Sequence, residues 1–193
     1  MEPTAERIWS ELMEGNARFA MGNLRTRDVV AERKAIAHSP KPKAVVLTCA
    51  DPRVDPDIIF DTRLGDLFVL RVAGNTADKK ALGSMEFAIT DLNVPLAIVL
   101  GHMYCGAVKI ACSRKKVDSP YLKAVIERLR PAVDKARGEG EERIRFVERE
   151  NARLVAHEVI EHEAALRARI QSHQLSVVSA WYNVETGEVQ RLD

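Results

Sequence analysis

Residues 44–53, Ala44-Val45-Val46-Leu47-Thr48-Cys49-Ala50-Asp51-Pro52-Arg53, read as a strand that runs out into a chemically loaded turn. A continuous apolar run of this length suits a strand buried on both faces, as strands are in a parallel sheet. Directly after it stand a thiol, a carboxylate and a guanidinium at alternate positions. Pro52 biases Asp51 toward extended backbone, which fixes the direction of its carboxylate. A second apolar run, Val94 to Leu100, closes in the same way on Gly101-His102-Met103-Tyr104-Cys105-Gly106. In an open parallel sheet, ligands bind where strands end in turns at the carboxyl edge.

Two thiols and an imidazole are the ligand set that suits zinc, with the fourth position left to a carboxylate or to water. Cys49, His102 and Cys105 are therefore the expected ligands of one zinc ion. Asp51 is expected either as the fourth ligand or as the partner of Arg53. Coordinated, it closes the site; paired with Arg53, it leaves room for a water whose pKa zinc lowers to about 7. A lone cysteine at a strand end is ordinarily a small buried hydrophobe, and an exposed Asp–Arg pair contributes little. It is the coincidence of both sets at two strand ends that points to a metal. Cys112, two turns beyond Cys105, is assigned to the core. His157 and His162 stand at i and i+5, about 140° apart on a helix, and so do not form a zinc-protease pair.

The spacings CxDxR (Cys49 to Arg53) and HxxC (His102 to Cys105) resemble the two metal motifs of the β-class carbonic anhydrases. The likeness continues through Gly65 to Asn75, Leu82 to Ala88, Glu14 to Phe19 and Trp181 to Gly187, and so covers nearly the whole chain. It implies a zinc enzyme that reversibly hydrates carbon dioxide to bicarbonate and a proton through zinc-bound hydroxide, with Asp51 and Arg53 as catalytic residues. It also implies an apolar substrate pocket near Phe68, Ala73 and Phe87, and a homodimer or higher homo-oligomer in which the N-terminal arm crosses to a neighbour. The chain departs from the family where Pro52 and Met103 replace serines and Phe87 replaces a tyrosine. A hydrolase of carbon disulfide or carbonyl sulfide on the same fold would use the same attack. A non-catalytic zinc or thiol-sensing module would follow if Asp51 closed the coordination sphere.

The rest of the chain fits an α/β fold. It has an open, mostly parallel sheet of four strands plus an antiparallel edge strand, flanked by helices and preceded by a helical arm. The strands are predicted at residues 44–48, 67–72, 94–100 and 175–184, with the edge at 188–192. Thr4 is a candidate cap for a first helix that Gly15 interrupts. The whole of residues 1–193 reads as a single domain, with 1–37 as a free arm and 38–193 as the sheet core and C-terminal helices. Residues 114–116, a short basic run, read as a solvated helix end.

A net charge of +1 over 193 residues gives no electrostatic footprint for nucleic acid or a membrane surface. Three cysteines are an odd number and suit a reducing compartment rather than a disulfide framework. The first residues show no secretory signal, so the expected location is the cytoplasm.

Overall fold

In the computed structural model, which describes residues 4–113, 115–161 and 164–192, the Ala44–Thr48 run forms β1 and is buried along its whole length. It lies between two parallel neighbours, β2 (Leu67–Arg71) and β3 (Leu96–His102). β4 (Ser176–Tyr182) pairs parallel to β3, and the short β5 (Val189–Arg191) closes the edge antiparallel to β4. The order is β2-β1-β3-β4-β5, so the expected four parallel strands and antiparallel edge are present. The chain leaves β1 toward β2 on one side and returns to β3 on the other. That reversal opens a crevice at the carboxyl ends of β1 and β3.

Eight helices cover the sheet among the described residues: α1 (Ala5–Ala20), α2 (Val29–Ile36), α3 (Pro56–Ile59), α4 (Lys79–Thr90), α5 (Gly106–Cys112), α6 (Pro120–Lys135), α7 (Gly140–Glu161) and α8 (Ala164–Gln171). Several begin where a short polar side chain accepts an orphan backbone N–H: Asp55 before α3, Asp78 before α4 and Ser119 before α6. Side chains alternate across the strands with period two. Val45, Leu47, Ala97 and Val99 face α4 and α7, while Ala44, Val46, Ile98 and Leu100 face α1 and α3. β1 and β3 thus serve two cores at once, which is why they read as unbroken apolar runs.

Two differences from the sequence reading concern the arm. α1 runs through Gly15 rather than stopping there, and the glycine marks a close approach instead of a break. A Cβ at that position would lie 1.8 Å from the carbonyl oxygen of Phe60. Residues 5–20 are also not free. Ile8, Trp9 and Leu12 are buried in the core, and Asn16 is a polar rivet. Its Nδ2 donates to the carbonyls of Ile59 (3.2 Å) and Gly187 (2.8 Å), while its Oδ1 accepts from Val189 N–H at 2.8 Å. α2, by contrast, has no buried residue. Gly15→Ala should therefore lower unfolding stability by about 1–3 kcal/mol or more through overpacking. A thermal melt within a degree of wild type would show that α1 does not need this contact.

His157 is exposed on α7; His162 and Arg114 lie outside the described residues. No helix among the described residues is long and apolar enough to cross a membrane.

Candidate metal centre

β1 ends at Thr48, whose hydroxyl donates to the carbonyl of Leu100 at 2.8 Å and ties the tip of β1 to β3. Cys49 follows at once. His102 is the last residue of β3, and Cys105 is the N-cap of α5. Between them Tyr104 adopts a left-handed backbone, φ 61°, which turns the chain back so that Cys105 faces the end of β1. The result brings the Sγ atoms of Cys49 and Cys105 to 4.0 Å. With a His102 ring nitrogen they form a buried group whose ligand atoms all lie within 4.8 Å of one another. Among the described residues no other set of three histidine, cysteine or acidic side chains comes together in this way.

This donor set fits a metal ion. His102 is fully buried; its Nδ1 lies 2.9 Å from the carbonyl of Met103, while its Nε2 is buried without a hydrogen-bond partner among the described residues. An imidazole oriented through one nitrogen and left with a bare lone pair on the other is the usual arrangement of a metal-ligating histidine. The two sulfurs complete a soft donor set of the zinc type. Without metal, the Cys105 thiol beside it holds Cys49 down at about 4, against the effect of burial and with help from His102. Cys105 is in turn pushed up by Cys49 and by burial. Burial acts to lower the pKa of His102, but Cys49, the carbonyl of Met103 and the Asp51 carboxylate together raise it.

Asp51 takes the second of the two arrangements open to it. Arg53 Nε donates to its Oδ1 at 2.9 Å and Arg53 Nη2 to its Oδ2 at 2.8 Å, a bidentate pair, and the Arg53 backbone N–H adds a bond to Oδ1 at 3.0 Å. Arg53 is anchored by a further bond to the carbonyl of Tyr104, 3.1 Å. The pairing holds Asp51 at a pKa of about 2, so it is an acceptor throughout the neutral range. Phe68 lies on β2 opposite Val45, four positions before Cys49, and packs against Phe87 of α4 with ring centroids 6.2 Å apart. Phe87 is half-exposed. Ala73 sits in the turn after β2, next to Gly74, whose N–H donates to Cys49 Sγ at 3.2 Å.

Several further residues support this group. Arg71 donates to the carbonyls of Cys49 (3.3 Å) and Asp51 (2.6 Å) and so holds the loop that presents both. Glu148 and Asn151 on α7 are buried polar residues directly behind the site; burial raises the carboxyl pKa of Glu148, against its bonds from Cys105 N–H and the Trp181 indole. Their spacing of three on one helix face, among Val147, Ala152 and Val155, is the only hint a reader of the sequence has.

The carbonic anhydrase family model matches residues 44–189, which span β1 to the start of β5 and contain every one of these groups. The chain belongs to the β-carbonic anhydrase family. It is 38% identical over 183 residues to a protein named carbonic anhydrase 2 from Mycobacterium tuberculosis, covering 93% of this chain and 88% of that one. Among solved structures it superposes on the β-carbonic anhydrase CcaA with a TM-score of 0.75 at 29% identity, covering 96% and 95% of the two chains. It shares the fold of β-carbonic anhydrases from Sordaria macrospora, described as tetrameric, with a TM-score of 0.74 at 21% identity over 82% and 84% of the chains. The β-carbonic anhydrases are a family of enzymes, and the Cys–His–Cys group of this chain could hold a metal ion.

Proposed function

We propose that this chain hydrates carbon dioxide reversibly to bicarbonate and a proton, with one zinc ion per chain held by Cys49, His102 and Cys105. The observation that carries this reading is the juxtaposition of two kinds of group at one sheet edge. A buried Cys–His–Cys set with a bare imidazole nitrogen lies beside a carboxylate locked into a bidentate pair with an arginine. Zinc, when bound, supplies a Lewis acid that makes water nucleophilic near neutral pH. The chain's own residues do the rest. Asp51 accepts a hydrogen bond from the reacting water and orients it, while Arg53 keeps Asp51 ionised and turned away from the sulfurs. Ala73, next to Gly74 in the turn after β2, offers apolar surface beside Cys49. Phe68 pairs with Val45, so within one chain the Phe68–Phe87 pair stands about 13 Å back along the sheet from the Cys49 end, and the half-exposed Phe87 gains cover in an assembly.

The working form is a homodimer or larger homo-oligomer. Exposed apolar residues along the arm, Met21, Leu24, Val29 and Val30, supply a surface for a second copy, and the fold relatives from Sordaria macrospora are tetrameric. The three free thiols suit a reducing cytoplasm. Light scattering of the purified protein should give a mass of at least twice that of the chain, and a monomer at micromolar concentration would count against the assembly.

Metal analysis together with stopped-flow hydration at two pH values tests the function. We expect about one zinc per chain and a rate that rises from neutral to alkaline pH. Asp51 stays ionised over that range, so the rise belongs to the reacting water. Carbonyl sulfide and carbon disulfide serve as rival substrates: faster turnover of either, or no turnover of any of the three, would overturn the assignment.

A further inference from the structure

Cys49 and Cys105 lie 56 residues apart in the sequence and on separate loops, yet a metal requires their sulfurs at one fixed spacing. We propose that Glu148 and Asn151, one turn apart on the buried face of α7, are positioning residues that hold these two sulfur-bearing loops in register. Glu148 reaches the first. One carboxylate oxygen accepts the backbone N–H of Cys105 at 2.9 Å, and the other accepts the indole N–H of Trp181 on β4 at 3.3 Å. The carboxylate is therefore pinned between the sheet and the Cys105 turn. Asn151 reaches the second through one intermediary. Its Nδ2 donates to the carbonyl of Gly74 at 2.9 Å, and the N–H of the same glycine donates to Cys49 Sγ at 3.2 Å.

Gly74 can play this part because it has no side chain. Its φ is +68°, and a Cβ there would meet Ala107 and Leu129 at 3.2 Å. The backbone of α7 also comes close to the strand that carries His102. A Cβ on Gly101 would lie 2.9 Å from the carbonyl oxygen of Glu148. One helix thus touches the supports of all three donors. A carboxylate and an amide that are 1% and 2% exposed are costly to bury compared with apolar residues of the same size. Partners behind a metal site are known to set ligand orientation and affinity, and here both buried polar groups on this face of α7 are spent on backbone that leads directly to a sulfur.

The proposal rests on reading the site as a metal centre, and not on the reaction catalysed there. Its test uses cobalt(II) in place of zinc. The thiolate-to-cobalt charge-transfer band reports sulfur geometry, and the rate of metal loss to a chelator reports how firmly the loops are held. Glu148→Gln keeps the size of the side chain but can accept only one of the two N–H donors. Asn151→Leu removes the donor to Gly74, and Asn151→Ala serves if the leucine variant does not fold. Val159→Ala, in the core two turns along the same helix, is the structural control. The expected result is a shifted charge-transfer band and metal release about 10- to 100-fold faster in the Glu148 and Asn151 variants. Val159→Ala should lower the melting temperature but keep the wild-type band and release rate. If the Glu148 and Asn151 variants match wild type, or if Val159→Ala loosens the metal as much as they do, the proposal is overturned and the metal reading stands. If wild type takes up no cobalt, both fall together.

Discussion

Arg53→Ala should reduce carbon dioxide hydration by about 100-fold while leaving about one zinc per chain. The reasoning starts from the bidentate pair. Two parallel N–H···O bonds of 2.9 and 2.8 Å fix both oxygens of Asp51, and a further bond to the carbonyl of Tyr104 fixes Arg53 itself. Asp51 is thereby aimed as well as ionised. Without the guanidinium its carboxylate loses its direction, nothing holds it away from the sulfurs, and the group that should orient water becomes free to occupy the metal. Asp51→Asn removes the charged acceptor from the other side of the same pair and should cost a similar amount. Because the two act as one unit, the double variant should be little worse than either single change. Metal content and stopped-flow rates of the three proteins decide the matter. Full additivity of the two losses, or turnover near wild type in either single variant, would show that Asp51 and Arg53 do not act together.

Legibility of this fold in the sequence followed burial. β1 could be placed to the residue because it is buried on both faces and admits no polar side chain until Thr48, whose hydroxyl is satisfied by Leu100. β3 was harder to bound. Its apolar pattern starts at Val94, but pairing with β4 begins at Leu96 and runs on to His102, because the strand is defined by its neighbour rather than by hydrophobicity. Gly15 misled for a different reason. A glycine inside a helix reads as a weakness, whereas here it is the only residue that lets α1 pass Phe60.

The Cys49–His102–Cys105 group was legible because soft ligands at strand ends are rare and each of the two spacings that carry it, CxDxR and HxxC, is local. The roles of its supports were not legible. Arg71, Gly74, Glu148 and Asn151 act through backbone groups, and a hydrogen bond to a carbonyl or an amide N–H leaves no pairing pattern between side chains. The environment of Phe68 and Phe87 is a further case: their contact spans β2 and α4, and only folding brings the two rings together.

The largest effect is expected from His102→Ala, which should bring bound zinc close to zero per chain, abolish hydration and make the melting temperature insensitive to zinc or chelator. In the folded chain the ring is wholly buried, and its Nε2 has no hydrogen-bond partner among the described residues. A buried polar atom left bare costs stability, and a ligand that satisfies it returns that stability on binding. Free zinc at about 1,000 times its dissociation constant would add about 4 kcal/mol to the folded state, which for a chain of this size is a rise of roughly 10 °C in melting temperature. Wild type should therefore melt in two positions, high with zinc and low with chelator. His102→Ala should melt in one, because two sulfurs alone make a poor site and the orphaned nitrogen has gone. Calorimetry of both proteins, with and without chelator, reads this directly. A zinc-dependent melt that survives the substitution would mean that the metal is held elsewhere, and that the buried imidazole at the end of β3 serves packing rather than coordination.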